Sequence, residues 1–525
     1  MREKGPGMRE LSVRHLFKAQ WLTCAKAGLS MAELACDVLV VGAGNAALCA
    51  ALSARATGAS VMVLERAPED ERGGNSRFTE GSMRFAFNNV DDLLKVVPDL
   101  TEDEKRTTDF GSYTEGQFFD DIGRVTDYRT DPDLAELLVR RSYESVMWLR
   151  SNGIRFMPKY GKQAYKVNGK FKFSGGVVLE VWGGGPGLID ALYKLARERG
   201  VPIVYNARAL SLLEDDAGVH GVRARIDGKT TDVRSSSVVL ACGGFEANAE
   251  WRARYLGPGW DLAKVRGTRF NTGDGLRMAI DASAMPYGNW SGSHVLPSDV
   301  NTPNYGDITV GDAFQKNSYL FGVMVNSSGR RFFDEGADFR MYTYVKCGLA
   351  VMKQPQQLAW QVFDSKVLHL LRDEYRMRQA TKVRADTLES LAQQLDGIDR
   401  SQFLRTVQEY NAAVQTAIPF DPNSKDGRAT RGLDINKSNW ATTIDQAPFE
   451  AFVITAGITF TFGGIKVNTD AQVMDVDNRP IPGLFAAGEM VGGLFYTNYP
   501  GGSGLMSGTV FGRIAGAAAA RHSSP

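Results

Sequence analysis

The chain has 525 residues, enough for two or three structural units around a sizeable core. With 43% hydrophobic and 23% charged residues it has the composition of an ordinary globular protein, and its 56 glycines exceed the usual share of about 7%. Its 61 basic and 60 acidic side chains leave a net charge of +1, which excludes a global field suited to nucleic acid or an anionic membrane, so any substrate charge must be met locally.

The five cysteines, Cys24, Cys36, Cys49, Cys242 and Cys347, form no C-x-x-C pair. That excludes a disulfide framework, an iron–sulfur signature and c-type haem attachment, and reads as ordinary thiols in a reducing compartment. No run of 18 apolar residues occurs, so no membrane span is expected. Residues 1–30 are basic but interrupted and lack the pattern of a signal peptide; they are expected to be an extension, with Met31 an alternative start.

The first strong signal is "CDVLVVGAGNAALCAALSARATGASVMVLER". It predicts a strand over 38–41, a tight turn at Gly42-Ala43-Gly44, a helix over 45–57 and a strand over 61–64 that ends in Glu65. Bare backbone at Gly42 and Gly44 lets a pyrophosphate approach the helix N-terminus, and an acid after the second strand suits a ribose hydroxyl. Ala47 stands at the third glycine position and still permits close helix packing. The glycine- and hydroxyl-rich loop "ERGGNSRFTEGSMR" follows and is expected to wrap the same ligand.

Further on, "TDPDLAELLVRRSYESVMWLRSNG" predicts a helix with Pro132 in its first turn and Gly153 as its stop. "GPGLIDALYKLARERG" predicts another. An antiparallel meander ends in an apolar strand over 238–241 that runs into Gly243-Gly244, which suggests that the chain returns to the nucleotide. From about 286 to 419 the texture turns to aromatics, polar loops and helical stretches such as "TLESLAQQLDG" and "SQFLRTVQEYNAAV". The expected organisation is α/β: a discontinuous Rossmann-like dinucleotide-binding domain over 31–286 and 420–525, with an inserted α+β capping domain over 287–419 that holds the substrate.

The segments "VVGAGNAALCAALSA", "RGGNSRFTEGSMR", "VVLACGGF", "NTGDGLRMA" and "GLFAAGE", in this order before a glycine-rich end, resemble the fumarate reductase and 3-ketosteroid dehydrogenase group of FAD flavoproteins. "GNAALCAALSAR", "RGGNSRF", "RRFFDEGADFRMYTY" and "FYTNYPGGSGL" look more specifically like the FAD-dependent tricarballylate dehydrogenases, which oxidise tricarballylate to cis-aconitate. The resemblance implies FAD as cofactor. It assigns Gly42, Gly44, Asn45 and Ala46 to the pyrophosphate, and Glu65 and Arg66 to the adenosine ribose. Gly73, Gly74, Asn75, Ser76 and Gly81 would surround the pyrophosphate and isoalloxazine. Ala209, Cys242 and Gly243 would lie on the adenine side, Asp274 by the flavin, and Glu489 at the ribityl chain. Gly502, Gly504 and Leu505 belong to the segment that passes beneath the ring in this group. No histidine stands in "GGNSRF", where some relatives attach flavin covalently, so non-covalent FAD is expected.

At the chemical centre the chain departs from the fumarate reductases. Tyr499 stands where they carry a carboxylate-clamping arginine, Phe495 where they carry a histidine, and Leu368, with His369 next, where their catalytic arginine is expected. Tyr499-Pro500-Gly501 resembles instead the ketosteroid dehydrogenases, in which a tyrosine polarises a carbonyl and flavin N5 takes a hydride. The implied catalytic or substrate-binding residues are Tyr499, His294, Glu335 and Arg340, with Arg331 a further clamp and the base unassigned. Cap aromatics Trp290, Phe314, Tyr319 and Phe321 would suit an apolar substrate. The expected partners are a small carboxylic acid and a separate electron-accepting redox protein at the membrane, with the enzyme itself cytoplasmic.

Overall fold

The computed structural model describes residues 34–173 and 175–523; the expected extension over 1–30 lies outside the described residues. Strand Leu34–Val41 runs parallel to Val61–Leu64 on one side and to Lys229–Leu240 on the other. Its last four residues are buried on both faces, as a parallel strand covered by helices requires. The helix between the first two strands, Asn45–Ala56, ends one residue before the expected 57. The meander is present: Ala207–Asp215, Gly218–Ile226 and Lys229–Leu240 pair antiparallel, and the sheet continues through Pro480–Ala486, parallel to Lys229–Leu240.

The predicted helices form where their caps stand. Asp131 accepts from the amides of Asp133 and Leu134 ahead of helix Pro132–Ser151. Thr387 and Asp399 cap Leu388–Gln394 and Arg400–Ala413 in the same way.

A second sheet carries the cap, and it is drawn from a wider stretch than 287–419. Its longest strand, Phe449–Ile465, pairs antiparallel with Pro286–Asp299, Ala359–Phe363 and Lys382–Ala385, and parallel with Lys264–Val265. Residues after 420 also pack on the cap: the Phe420 ring lies 6.1 Å from Phe321, and buried Trp440 lies 5.5 Å from Phe339. The expected return to the nucleotide domain at 420 therefore comes later. Strand Phe449–Ile465 serves both units, since its outer half builds the cap and Phe460 and Thr461 face the cleft between them.

The C-terminal helix, Ser503–His522, packs along Asn45–Ala56. Gly512 and Gly516 make this possible: a Cβ on either would lie 2.4 Å from the Ala46 carbonyl or 2.0 Å from that of Ala50. Asn45 fixes the register, its amide donating to the Leu505 carbonyl at 2.8 Å and to Thr509 Oγ1 at 3.1 Å. Two helix N-termini are thereby aimed into one cleft. No helix of the described residues is long and apolar enough to cross a membrane.

Candidate active site

One continuous cleft begins at the first βαβ unit and ends under the cap. Gly42, Gly44, Asn45 and Ala46 line it at the start of the first helix, and Gly502, Gly504 and Leu505 at the start of the last. Neither N-cap, Gly44 nor Gly502, offers a side chain to the first-turn amides; the Asn45 amide donates to Ser76 Oγ at 3.1 Å and the Ser503 amide to the Pro500 carbonyl at 3.0 Å, and the amides that follow can serve a ligand. Gly42 has φ 102°, and a Cβ there would lie 2.5 Å from the Ala241 carbonyl, which explains the tight turn. Two uncapped helix starts on a glycine-lined cleft fit a dinucleotide with a diphosphate at one helix and an electron-accepting ring at the other.

At the nucleotide end, Glu65 accepts from the Ala67 amide at 2.8 Å, and burial pushes its carboxyl up to about 7. Arg66, Ala209, Cys242 and Gly243 line the same end. Asp274, expected by the flavin, also lines this end, where it pairs with Arg66 and Arg208, each at 2.9 Å. Gly74, Asn75 and Ser76 line the middle of the cleft. Gly73 and Gly81 do not. Their left-handed backbone packs instead on Ile189 and Gly184, seating the loop against helix Gly184–Glu198.

Under the cap lie His294, Arg340 and Tyr499. His294 follows a bulge in strand Pro286–Asp299, opposite Phe460, and the bulge re-aims its ring. The imidazole stacks on Phe460 at 5.1 Å and meets Tyr344 and Tyr499 edge-on at 5.1 and 5.0 Å. Burial, helped by the Arg266 charge, pushes its pKa well below the usual value, so it is neutral.

Tyr499 is held from behind by the segment quoted above. Asn498 donates to the Tyr342 carbonyl and accepts from the Tyr499 amide, both at 2.8 Å, while buried Arg84 donates to the Gly501 carbonyl at 2.7 Å. The Tyr344 and Tyr499 rings meet edge-on with centroids 6.1 Å apart, and burial raises both phenols' pKa. Arg340 opens helix Arg340–Met352, which also brings Tyr344 to the cleft four residues on. Its guanidinium donates to the Lys162 carbonyl at 2.9 and 3.2 Å and has no carboxylate partner among the described residues. Burial and then the Arg372 charge lower its pKa, against the opposing Glu80 charge.

Glu335 is not part of this constellation. Both its oxygens are taken by Arg331, and one also accepts from the Met324 amide at 2.8 Å, so neither Glu335 nor Arg331 reaches the cleft. Leu368, His369 and the aromatics Trp290, Phe314, Tyr319 and Phe321 are also absent from its lining. The aromatic wall is made by Phe460, Phe462, Phe495 and the two tyrosines.

Sequence reasoning missed a charged cluster. Arg266 is ion-paired with Asp312, and Gln315 links Asp312 to Glu80 at 2.9 and 2.5 Å. Although burial opposes ionisation of Glu80, Lys159, Arg372 and Lys162 outweigh it and hold its pKa well below the usual range. These residues are scattered from 80 to 372, and no local motif joins them.

The FAD binding domain family model matches residues 37–505. The probable fumarate reductase Ifc3 of Shewanella frigidimarina is 32% identical over 497 residues, which cover 93% of this chain and 75% of that protein. The open conformation of a flavocytochrome c3 fumarate reductase superposes with a TM-score of 0.70 at 28% identity, covering all of this chain and 83% of that one. The 3-ketosteroid Δ1-dehydrogenase of Sterolibacterium denitrificans shares the fold, with a TM-score of 0.71 at 22% identity over 93% of this chain and 100% of that one. The chain is an FAD-dependent oxidoreductase and belongs to the FAD binding domain family.

Proposed function

We propose that the enzyme desaturates a C–C bond next to a carboxylate, and that tricarballylate, giving cis-aconitate, is its substrate. The observation that carries this reading is Arg340: a half-buried guanidinium, without an ion-paired carboxylate of its own, opening on the same cleft as His294 and Tyr499. A substrate carboxylate supplies the missing anion through paired, charge-assisted hydrogen bonds. Relatives whose names specify unsaturated or saturated acids support the class, among them a urocanate reductase of Eggerthella lenta and a 4-oxocyclohex-2-ene-1-carboxylate 5-dehydrogenase of Sinomonas cyclohexanicum.

FAD, when bound, supplies the two-electron acceptor. Gly42, Gly44 and Asn45 would hold its diphosphate, Glu65 its ribose, and Gly502 and Gly504 its ring, without a covalent link. The chain's own part is to orient the acid and move a proton. Arg340 anchors the carboxylate, and the neutral His294 ring closes one wall. Tyr499, with Tyr344 behind it, is the proton carrier. Phe460, Phe462 and Phe495 keep water from the reacting carbon. Electrons leave to a separate redox protein at the membrane, and the enzyme works in the cytoplasm.

The aromatic wall favours a second reading, a ketone with an apolar body whose carbonyl is polarised by Tyr499, as in a 3-ketosteroid-type dehydrogenase. Anaerobic addition of tricarballylate to the purified holoenzyme separates the two. Bleaching of the visible flavin absorption is expected, and Arg340→Ala should shift it to about 100-fold higher tricarballylate. Flavin that stays yellow with tricarballylate but is reduced by dithionite rejects the acid and moves the test to cyclic ketones.

A further inference from the structure

Behind the middle of the cleft two acidic side chains face each other. Glu489 lines the cleft, and its Oε1 accepts from the Thr461 amide at 2.7 Å and from Thr461 Oγ1 at 3.1 Å. Glu246 lies deeper and is fully buried. Its Oε1 accepts from Asn75 Nδ2 at 2.5 Å and from Asn271 Nδ2 at 2.7 Å, while its Oε2 finds no donor among the described residues. Of the charged groups around it, Glu489 acts on Glu246 most strongly.

Two ionised carboxylates are disfavoured in such a site, because their repulsion is poorly screened there and Glu246 Oε2 has no donor. The charged group packed against Glu246 does not relieve them. Arg252 donates to the main-chain carbonyls of Glu246, Trp260 and Asp261 at 2.5, 2.8 and 2.8 Å, and so spends its guanidinium on backbone. A single proton between the carboxyls satisfies every atom: Glu246 Oε1 keeps its two amide donors and Oε2 becomes a donor to Glu489.

We propose that Glu246 is a positioning residue for the cofactor, permanently protonated on Oε2 and donating to Glu489, so that the pair presents one fixed carboxylate to the cleft. The electrostatics agree in direction: burial first, and the Glu489 charge second, push Glu246 well above the ordinary carboxyl range. The connections explain why the acid is worth keeping. Through Asn75, which also donates to the Thr459 carbonyl at 2.6 Å and accepts from the Thr268 amide at 2.9 Å, Glu246 ties the 74–78 turn, Asn271 and Glu489 into one frame around the cofactor. The inference concerns FAD retention and is independent of which substrate the enzyme takes.

The test is infrared spectroscopy of the holoenzyme, wild type against Glu246→Gln, at neutral and alkaline pH. The carbonyl stretch of a protonated carboxylic acid should be present in the wild type, persist at alkaline pH and vanish from the variant. FAD retention, followed by the fluorescence of released flavin, supplies a second readout. Glu246→Gln, whose amide accepts and donates in the same places, should hold FAD within about 2-fold of wild type, whereas Glu246→Ala should weaken it about 10-fold or more. A wild-type spectrum without the band, a band that survives in Glu246→Gln, or equal loss of FAD from the Gln and Ala variants would overturn the proposal.

Discussion

The imidazole of His294 meets the Tyr499 ring edge to face with centroids 5.0 Å apart, and neither of its nitrogens has a hydrogen-bond partner among the described residues. A histidine so placed is an uncharged wall and not an acid. Its native pKa lies well below the ordinary value of about 6.5 that the unfolded chain regains. The unfolded state therefore binds the extra proton first, and stability falls as pH drops through that value. His294→Gln should flatten this acid-side loss in thermal melts. It should lower kcat/KM without removing any inflection from the pH–rate profile between about 6 and 8, and loss of such an inflection would make His294 a titrating catalyst.

Arg340 gives a different signature. Because it has no carboxylate partner of its own, its removal leaves no acid stranded and should leave the fold intact. Arg340→Ala is expected to raise KM about 100-fold, ~2.7 kcal/mol of charge-assisted binding, with a smaller change in kcat. Steady-state kinetics beside a thermal melt check both halves. For Tyr499→Phe the split reverses: kcat should fall about 10²- to 10³-fold while KM moves little, since only the hydroxyl that carries the proton is lost.

The nucleotide half was legible because its signals are local. Strand, glycine turn, helix and acid fall within thirty residues, and Asp131, Thr387 and Asp399 announce their helices at the cap. The substrate half was not. Arg266, Asp312 and Tyr344 meet only after the long strand Phe449–Ile465 has drawn the cap together, and that strand, buried along most of its length, reads as apolar sequence with no mark of which unit owns it. Glu335 was named on the family resemblance alone, and its local partner decides otherwise. It precedes the helix that aims Arg340, and its nearer partner at i−4, Arg331, captures it. Tyr344, by contrast, had a usable signal, since it is one helical turn beyond Arg340.

The glycine stripe of the last helix yields a packing test. Gly516→Ala would place a methyl group 2.0 Å from the Ala50 carbonyl and force apart the two helices whose N-termini share the cleft. A loss of about 1–3 kcal/mol is expected, with faster FAD release. Gly116→Ala, in helix Glu115–Val125 with its nearest neighbour at 3.8 Å, is the control and should be neutral or slightly stabilising. Equal melting temperatures for both variants would show that the helix pair yields without cost.

Glu65 couples the ribose site to stability. Burial raises its pKa from 4.5 in the unfolded chain to about 7 in the FAD-free fold. The native state then holds the proton over an interval in which the unfolded state has released it. Stability of the FAD-free protein should therefore fall as pH rises from about 4.5 to about 7 and level off above, a loss on the order of 3 kcal/mol. Glu65→Gln removes the titration, so the variant without FAD should be the more stable protein at pH 8, by chemical denaturation, and the two should converge near pH 4.5. With FAD present the order should reverse, because the amide is a weaker acceptor for the ribose hydroxyl than an ionised carboxylate is. If Glu65 takes the proposed place at the ribose, the fold opposes its ionisation until a ribose hydroxyl is there to donate to it.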